Sequence, residues 1–270
     1  MKKKKNFCLH DEVYSPKDII TVLDMAVDDS CLRGNNKKQK FFDIPVCFDI
    51  ETSSFYKSGD NYLSYEQYVK LGVKLEKCSC MYVWQFGING YCIVGRTWEE
   101  FTEMMETLSD YLQLSEDRRL IVYVHNLAYE FQFIRNRFTW NKVFSIDLRK
   151  PIYAITESGI EFRCSYLLSG YSLAKLGGQL MKYKCEKMVG DLDYSLLRHS
   201  KTPLTDKEMG YCLNDVKVVM CYIQEMIERY KGITHLPITK TGFVRKYCRK
   251  HCLYCEDEFG KTVQNWTYIN

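Results

Sequence analysis

The stretch Ile44-Pro45-Val46-Cys47-Phe48-Asp49-Ile50-Glu51 constrains the chain more than any other, because it reads as a buried strand that runs into two acids. Side chains alternate faces along a strand, so Asp49 and Glu51, two residues apart, point the same way. Two anions on one face repel unless a cation lies between them. Hard carboxylate oxygens suit Mg²⁺ or Mn²⁺. The plainer alternative is a strand end with two solvated acids.

Other segments supply the frame around that strand. Ser15-Pro16 is an N-cap and first-turn pair, followed by the apolar stripe Ile19, Ile20, Leu23 and Val27. Met81–Phe86 and Tyr91–Val94 flank Gly87-Ile88-Asn89-Gly90, and the Asn-Gly pair marks a hairpin. Thr97 with Glu100 forms a capping box ahead of a helix through Phe101, Met104, Met105, Leu108 and Leu112. Leu120–Val124 is a short strand and Tyr129–Phe138 a helix. Strands are expected near Val143–Leu148, Ile152–Thr156 and Glu161–Cys164, and a helix at Leu173–Met181. Thr205–Lys231 is a long helix with the stripe Met209, Cys212, Leu213, Val216, Val219, Met220, Ile223 and Ile227. A basic helix runs from Thr239 through Lys250. Strands interleaved with helices give an α/β class, a mixed sheet flanked by helices.

Composition excludes several classes. Of 270 residues 46% are hydrophobic and 27% charged, enough core for a folded chain and too little net charge for disorder. No apolar run approaches ~18 residues, so no membrane span is expected. The opening Met1-Lys2-Lys3-Lys4-Lys5-Asn6 has no apolar run after it and does not read as a secretory signal; Lys2–Lys5 reads as a solvated tail. Thirteen cysteines, an odd number scattered from Cys8 to Cys255, point to reduced thiols and an intracellular setting. Residues 1–40 carry nine Lys/Arg against six Asp/Glu and residues 229–270 eight against three, so ends of +3 and +5 bracket a centre of −4 within a total of +4. Basic ends around an acidic centre fit a carboxylate site approached by a polyanion.

Two further groupings bear on chemistry. Tyr211 and Asp215 share a face of the long helix at i and i+4, where a phenol beside a metal-bound carboxylate can aim a water; the bland reading is a surface pair. In Tyr123-Val124-His125-Asn126-Leu127-Ala128-Tyr129-Glu130-Phe131 a strand ends and a helix begins, with Asn126 either a helix cap or a substrate contact.

In order along the chain, Phe48-Asp49-Ile50-Glu51-Thr52, Asn126 to Glu130 and Tyr211-x-x-x-Asp215 resemble the three motifs of the DEDD exonuclease superfamily in its Tyr-containing branch. The similarity is to the N-terminal proofreading domain of protein-primed family B DNA polymerases from phages and linear plasmids, over roughly residues 45 to 230. Gly190 to Ser195 precedes the third motif as in that family. The resemblance implies an RNase H-like fold over residues 41–232, between an N-terminal helical extension (1–40) and a C-terminal helical segment (233–270) where the polymerase region would start. It implies a 3′–5′ exonuclease with two Mg²⁺ or Mn²⁺ ions on Asp49, Glu51, Glu130 and Asp215, one activating water and the other stabilising the leaving 3′-oxygen. It implies that Tyr211 orients the water and that Thr52, Asn126, Leu127 and Tyr129 bind the 3′ end of single-stranded DNA. The family has Asp where Glu130 stands. Its supporting Lys falls at Val189, and Lys187 is the nearest Lys. The palm motifs of such polymerases do not occur, so polymerisation is not expected of this polypeptide, and a separately encoded polymerase half is the implied partner. The alternative is a non-catalytic fragment of a split or truncated polymerase that binds DNA or a partner. Cys248, His251, Cys252 and Cys255 could hold zinc but read rather as helix-face thiols. Lys240, Arg245, Lys246, Arg249 and Lys250 could track a phosphate backbone or face solvent.

Overall fold

A computed structural model of the chain describes residues 6–35, 37–188, 192–193 and 196–264. Strand β1 (Val13–Tyr14), helix α1 (Ile19–Ala26), β2 (Leu32–Gly34), β3 (Lys40–Phe42) and β4 (Val46–Ser58) come first. Then follow β5 (Asn61–Leu63), α2 (Tyr65–Leu71), β6 (Glu76–Ile88), β7 (Tyr91–Gly95) and α3 (Trp98–Tyr111). Next are β8 (Arg118–Val124), α4 (Leu127–Ile134), β9 (Trp140–Asp147), β10 (Lys150–Thr156) and β11 (Ile160–Cys164). The chain continues with α5 (Ser165–Ser169), α6 (Leu173–Gln179), α7 (Asp206–Tyr230) and α8 (Lys240–Cys248), then β12 (Tyr254–Glu256) and β13 (Thr262–Gln264).

One sheet carries the order β1-β7-β6-β4-β8-β11-β10-β9. It is mixed: β4 and β11 lie parallel to β8, whereas β6 runs antiparallel to both β4 and β7. The strand alternation sorts β4 between two cores. Val46, Phe48 and Ile50 pack with α1, α3 and α4, while Cys47 packs with α6 and α7. Asp49 and Glu51 share the parity of Cys47, which directs them to the α7 side. The result is a helix–sheet–helix sandwich: the mixed sheet flanked by helices that the sequence pattern predicts, in the RNase H-like arrangement that the resemblance implies.

Helix α7 is seated tightly on the sheet. The Cys47 thiol donates to the Val216 carbonyl at 3.1 Å. Gly87 lies under Met220, and a Cβ there would sit 2.8 Å from the Met220 sulfur. The N-terminal segment also belongs to the body, since β1 adds to the edge at β7 and α1 buries Ile19, Val22, Leu23 and Ala26.

Three elements depart from the sequence expectations. The first strand does not end at Glu51 but runs on to Ser58, because its Thr, Ser, Phe and Tyr residues pair with Glu76–Met81 of β6. A bulge falls in β6: Glu51 faces Val83 and Thr52 faces Met81, leaving Tyr82 as the extra residue. Helix α4 stops at Ile134, short of Phe138. The basic helix ends at Cys248 and gives way to a π-helical turn over Arg249–Leu253. Among the described residues, Cys248, His251, Cys252 and Cys255 do not gather into a group able to hold a metal. All thirteen cysteines are free. No described helix is long and apolar enough to cross a membrane.

The β6–β7 turn is the two-residue Asn89-Gly90, with φ of 46° and 97°, the pairing that a tight hairpin favours. The amide of His10 donates to the Gly90 carbonyl at 3.0 Å, and a Cβ on Gly90 would collide with the Cys8 carbonyl. Gly90→Ala is therefore expected to destabilise the protein by roughly 1–3 kcal/mol in urea unfolding, with residues 6–14 gaining hydrogen exchange first.

Candidate active site

Four acids meet at the junction of β4, α4 and α7. A ligand oxygen from each of Asp49, Glu51 and Asp215 lies within 4.8 Å of the others. Glu130, one turn into α4, is buried and stands just outside that trio. Its charge nevertheless acts on Asp49, and the charge of Glu51 acts on it.

Burial and mutual repulsion push these carboxyls upward. Burial, then the charges of Glu130, Glu51 and Asp215, hold Asp49 well above the usual range. Burial and the Asp215 charge raise Glu51 to about 7, against the pull of Lys187 and Arg198. Burial raises Glu130 to about 8, with Glu51 adding to the shift. Asp215 is raised by burial and partly restored by Lys187. Asp215 Oδ1 and Glu130 Oε2 are buried with no hydrogen-bond partner among the described residues. Buried anionic oxygens without donors are costly. A set of hard, unsatisfied oxygens fits divalent cations such as Mg²⁺ or Mn²⁺.

Among the described residues, a lysine reaches the cluster directly. Lys187 Nζ donates to Asp215 Oδ2 at 3.0 Å and lies 5.3 Å from the centre of the Tyr211 ring. Asn214, next to Asp215 on α7, fixes the backbone on both sides of that lysine. Its Oδ1 accepts from the Met188 amide at 2.7 Å and its Nδ2 donates to the Glu186 carbonyl at 3.0 Å. On the far side the segment rests on Gly177 of α6, where a Cβ would lie 2.9 Å from both the Cys185 carbonyl oxygen and the Lys187 nitrogen. Val189, Gly190, Asp191, Tyr194 and Ser195, where the family's lysine and its following element were sought, lie outside the described residues.

The expected substrate contacts are distributed unequally. Thr52 Oγ1 and the Tyr129 hydroxyl lie 2.5 Å apart, and Tyr129 is exposed. Asn126 occupies the N-cap position of α4, yet its side chain makes no capping bond and it is exposed. Leu127, by contrast, is wholly buried in the core. Tyr211 is buried beside Lys187.

Two residues escaped the sequence reading. Arg198, itself buried, donates to Asp193 O at 2.5 Å and to Glu208 Oε1 at 2.6 Å, and its charge favours ionised Glu51. Glu208 also closes the capping box with Thr205 at the start of α7, so the box was the only visible hint. His125 pairs through Nδ1 with Ser165 Oγ at 3.1 Å. Burial, and secondarily Lys187, lower its pKa to about 4, so its ring is neutral at pH 7.

No family model and no curated protein sequence matches the chain. Solved structures do match in fold. Phi29 DNA polymerase complexed with single-stranded DNA aligns with a TM-score of 0.54 at 14% identity, over 78% of this chain and 35% of that one. Its ternary complex with primer-template DNA and incoming nucleotide substrates gives 0.53 at 13% identity, over 76% and 34%. The chain thus spans about a third of the length of the polymerase chains whose fold it shares.

Two outcomes are expected. Gly177→Ala forces the 185–187 segment off α6 and lowers stability by roughly 1–3 kcal/mol. Gly178→Ala, with open space at its Cβ, is neutral or stabilises by up to about 1 kcal/mol through helix propensity; paired urea melts compare them. The second concerns pH. Glu51 and Glu130 titrate near 7 and 8 when folded, above the ordinary 4.5, so the folded state holds extra protons in that interval. Stability of the metal-free protein should fall as pH rises from about 4.5 through 8, and a divalent cation should flatten that fall while releasing protons. Melting scans with EDTA and with Mg²⁺ check both.

Proposed function

We propose that this chain is a metal-dependent 3′–5′ exonuclease module, of the kind that proofreads in family B DNA polymerases, acting on the 3′ end of single-stranded DNA. The observation that carries the reading is the convergence of Asp49, Glu51 and Asp215, with Glu130 beside them and Tyr211 and Lys187 at their edge. The match in fold to phi29 DNA polymerase supports it. A polymerase partner follows from the same reading.

Divalent ions, two Mg²⁺ or Mn²⁺, held by the four carboxylates would supply charge neutralisation and Lewis acidity at the scissile phosphate. The remaining roles fall to the chain itself. Lys187 favours the ionised form of Asp215 against the opposing effect of burial and offsets part of the cluster's negative charge. The phenol of Tyr211 orients the attacking water by hydrogen bonding. As the water oxygen bonds to phosphorus, the P–O3′ bond breaks, leaving a new 3′-hydroxyl on the shortened strand and a free nucleoside 5′-monophosphate. Exposed Asn126 and Tyr129 hold the terminal nucleotide, Asn126 by hydrogen bonding and Tyr129 by packing on the base or sugar, with Thr52 fixing the Tyr129 hydroxyl. A paired end must unpair to enter such a site, so frayed or single-stranded termini are preferred.

The test is a 5′-labelled single-stranded oligonucleotide incubated with Mg²⁺ or Mn²⁺. A ladder shortening from the 3′ end with release of mononucleotides is expected. Asp49→Ala should slow it by about a thousandfold or more, the scale of losing several kcal/mol of charge stabilisation. Tyr211→Phe should slow it by about a hundredfold. Failure of both ions to support cleavage, or an Asp49→Ala rate equal to wild type, overturns the reading.

A further inference from the structure

Strand β4 does not stop at the carboxylates. Beyond Glu51 it continues as Thr52–Ser58, paired with the outer part of β6 and capped by β5 and α2. At ~3.3 Å per residue these seven residues reach about 20 Å. The helix at the tip, α2, has no buried residue. Residues 52–80 thus form an arm rooted one peptide bond from Glu51.

The two faces of the arm differ. Alternation places Thr52, Ser54 and Tyr56 on one face, and their cross-strand neighbours Ser79 and Lys77 join them there. Ser54 Oγ and Ser79 Oγ lie 3.3 Å apart across it. At the inner end of this face Thr52 meets Tyr129. At the outer end Tyr56 stacks on Tyr68 of α2, with centroids 3.8 Å apart and planes at 3°. Tyr65 stands 6.3 Å from Tyr56 and is 61% exposed. The opposite face continues the side that bears Asp49 and Glu51, but it is closed near its root by Leu196 and Arg198, which bond to Ser53, so no strand can follow it outward. Farther out it carries Phe55 against Tyr62, which is 58% exposed. The arm bears Lys57, Lys70, Lys74 and Lys77 against Asp60, Glu66 and Glu76.

We propose that residues 52–80 are a binding arm for single-stranded nucleic acid. The strand whose 3′ end enters the carboxylate cluster crosses β4 beside Tyr129, because Thr52, Ser54 and Tyr56 alternate with Glu51 and lie on the other side of β4 from it, and then runs outward over those three residues. A base stacks on the open face of Tyr65, and exposed Lys77 faces the phosphates. An arm of this reach covers about six nucleotides at the ~3.4 Å phosphate spacing of a stacked strand, and fewer if the strand is stretched. Continuity of one face, from the substrate-contacting pair Thr52 and Tyr129 to the outer tyrosines, selects nucleic acid as its occupant. The proposal rests on the exonuclease reading for the direction of the strand.

Tyr65 and Tyr62 make a matched pair, similarly exposed and on opposite faces. Fluorescence anisotropy of a labelled ten-residue thymidine oligonucleotide, with EDTA present to prevent cleavage, measures binding to the whole chain. Tyr65→Ala should weaken it about fivefold or more, the loss of one stacked base, and Tyr62→Ala by less than about twofold. Wild type should prefer the ten-residue oligonucleotide to a three-residue one, and Tyr65→Ala should shrink that preference. Circular dichroism confirms that both variants fold. Equal effects, a larger effect of Tyr62→Ala, or none from either overturns the arm, even if mononucleotide release is intact. Binding that depends on Tyr65 without any release would sink the exonuclease reading alone. Neither binding nor release sinks both.

Discussion

Like charges held close in a poorly solvated cleft are the constraint around which this fold is arranged. Carboxylates buried together repel and shed their charge by taking up protons, and Asp49, Glu51, Glu130 and Asp215 all show that upward pressure. The crowding is enforced from below. Cys47 bonds to Val216, and Gly87 admits Met220, so α7 cannot retreat from β4 and β6 to relax it. Packing supplies the force that electrostatics opposes.

The same helix supplies the remedy. Asp215 accepts from the Lys187 ammonium, and Asn214, its neighbour, grips the backbone flanking that lysine. Acid and counter-charge therefore move as one piece with α7. A lysine placed by backbone bonds on either side, and by a glycine beneath, keeps its ammonium where a long flexible side chain would otherwise wander. Arg198 works through a similar economy, joining the cap of α7 at Glu208 to the field around Glu51.

Much of this was legible in the residues. That Asp49 and Glu51 share a face needed only the two-residue period of a strand, and that Tyr211 and Asp215 do so only the turn of a strongly striped helix; that the two pairs and Glu130 come together followed from the resemblance. Thr97 with Glu100 announced a helix start that the structure keeps, and the apolar stripe from Met209 to Ile227 announced the long helix α7. What stayed hidden depends on contacts between distant segments. Thr52–Ser58 reads only as a polar, Tyr-rich stretch because most of its strand character comes from pairing with residues 76–81 of β6, across the β5–α2 excursion. The burial of Arg198 and the place of Lys187 depend on loops folding onto α7, for which no periodicity exists. The zinc-like spacing of Cys248, His251, Cys252 and Cys255, read as helix-face thiols, assembles no metal group, and Cys255 leaves the helix: the end of α8, a π-helical turn and a strand carry these residues in turn.

The bulge at Tyr82 has a consequence for how such a chain can change length. Because the surplus residue sits in β6, the up-down count along β4 is unbroken from Cys47 to the tip of the arm. Residues gained or lost beyond Ser58 are absorbed at an open end. A single residue inserted or deleted between Cys47 and Thr52 would instead exchange the two sides of the strand, turning an acid toward the apolar layer and a Phe or Ile toward the cleft. Drift in this lineage should therefore accumulate at the extremity and be refused at the root, where tolerated length changes come only in even steps.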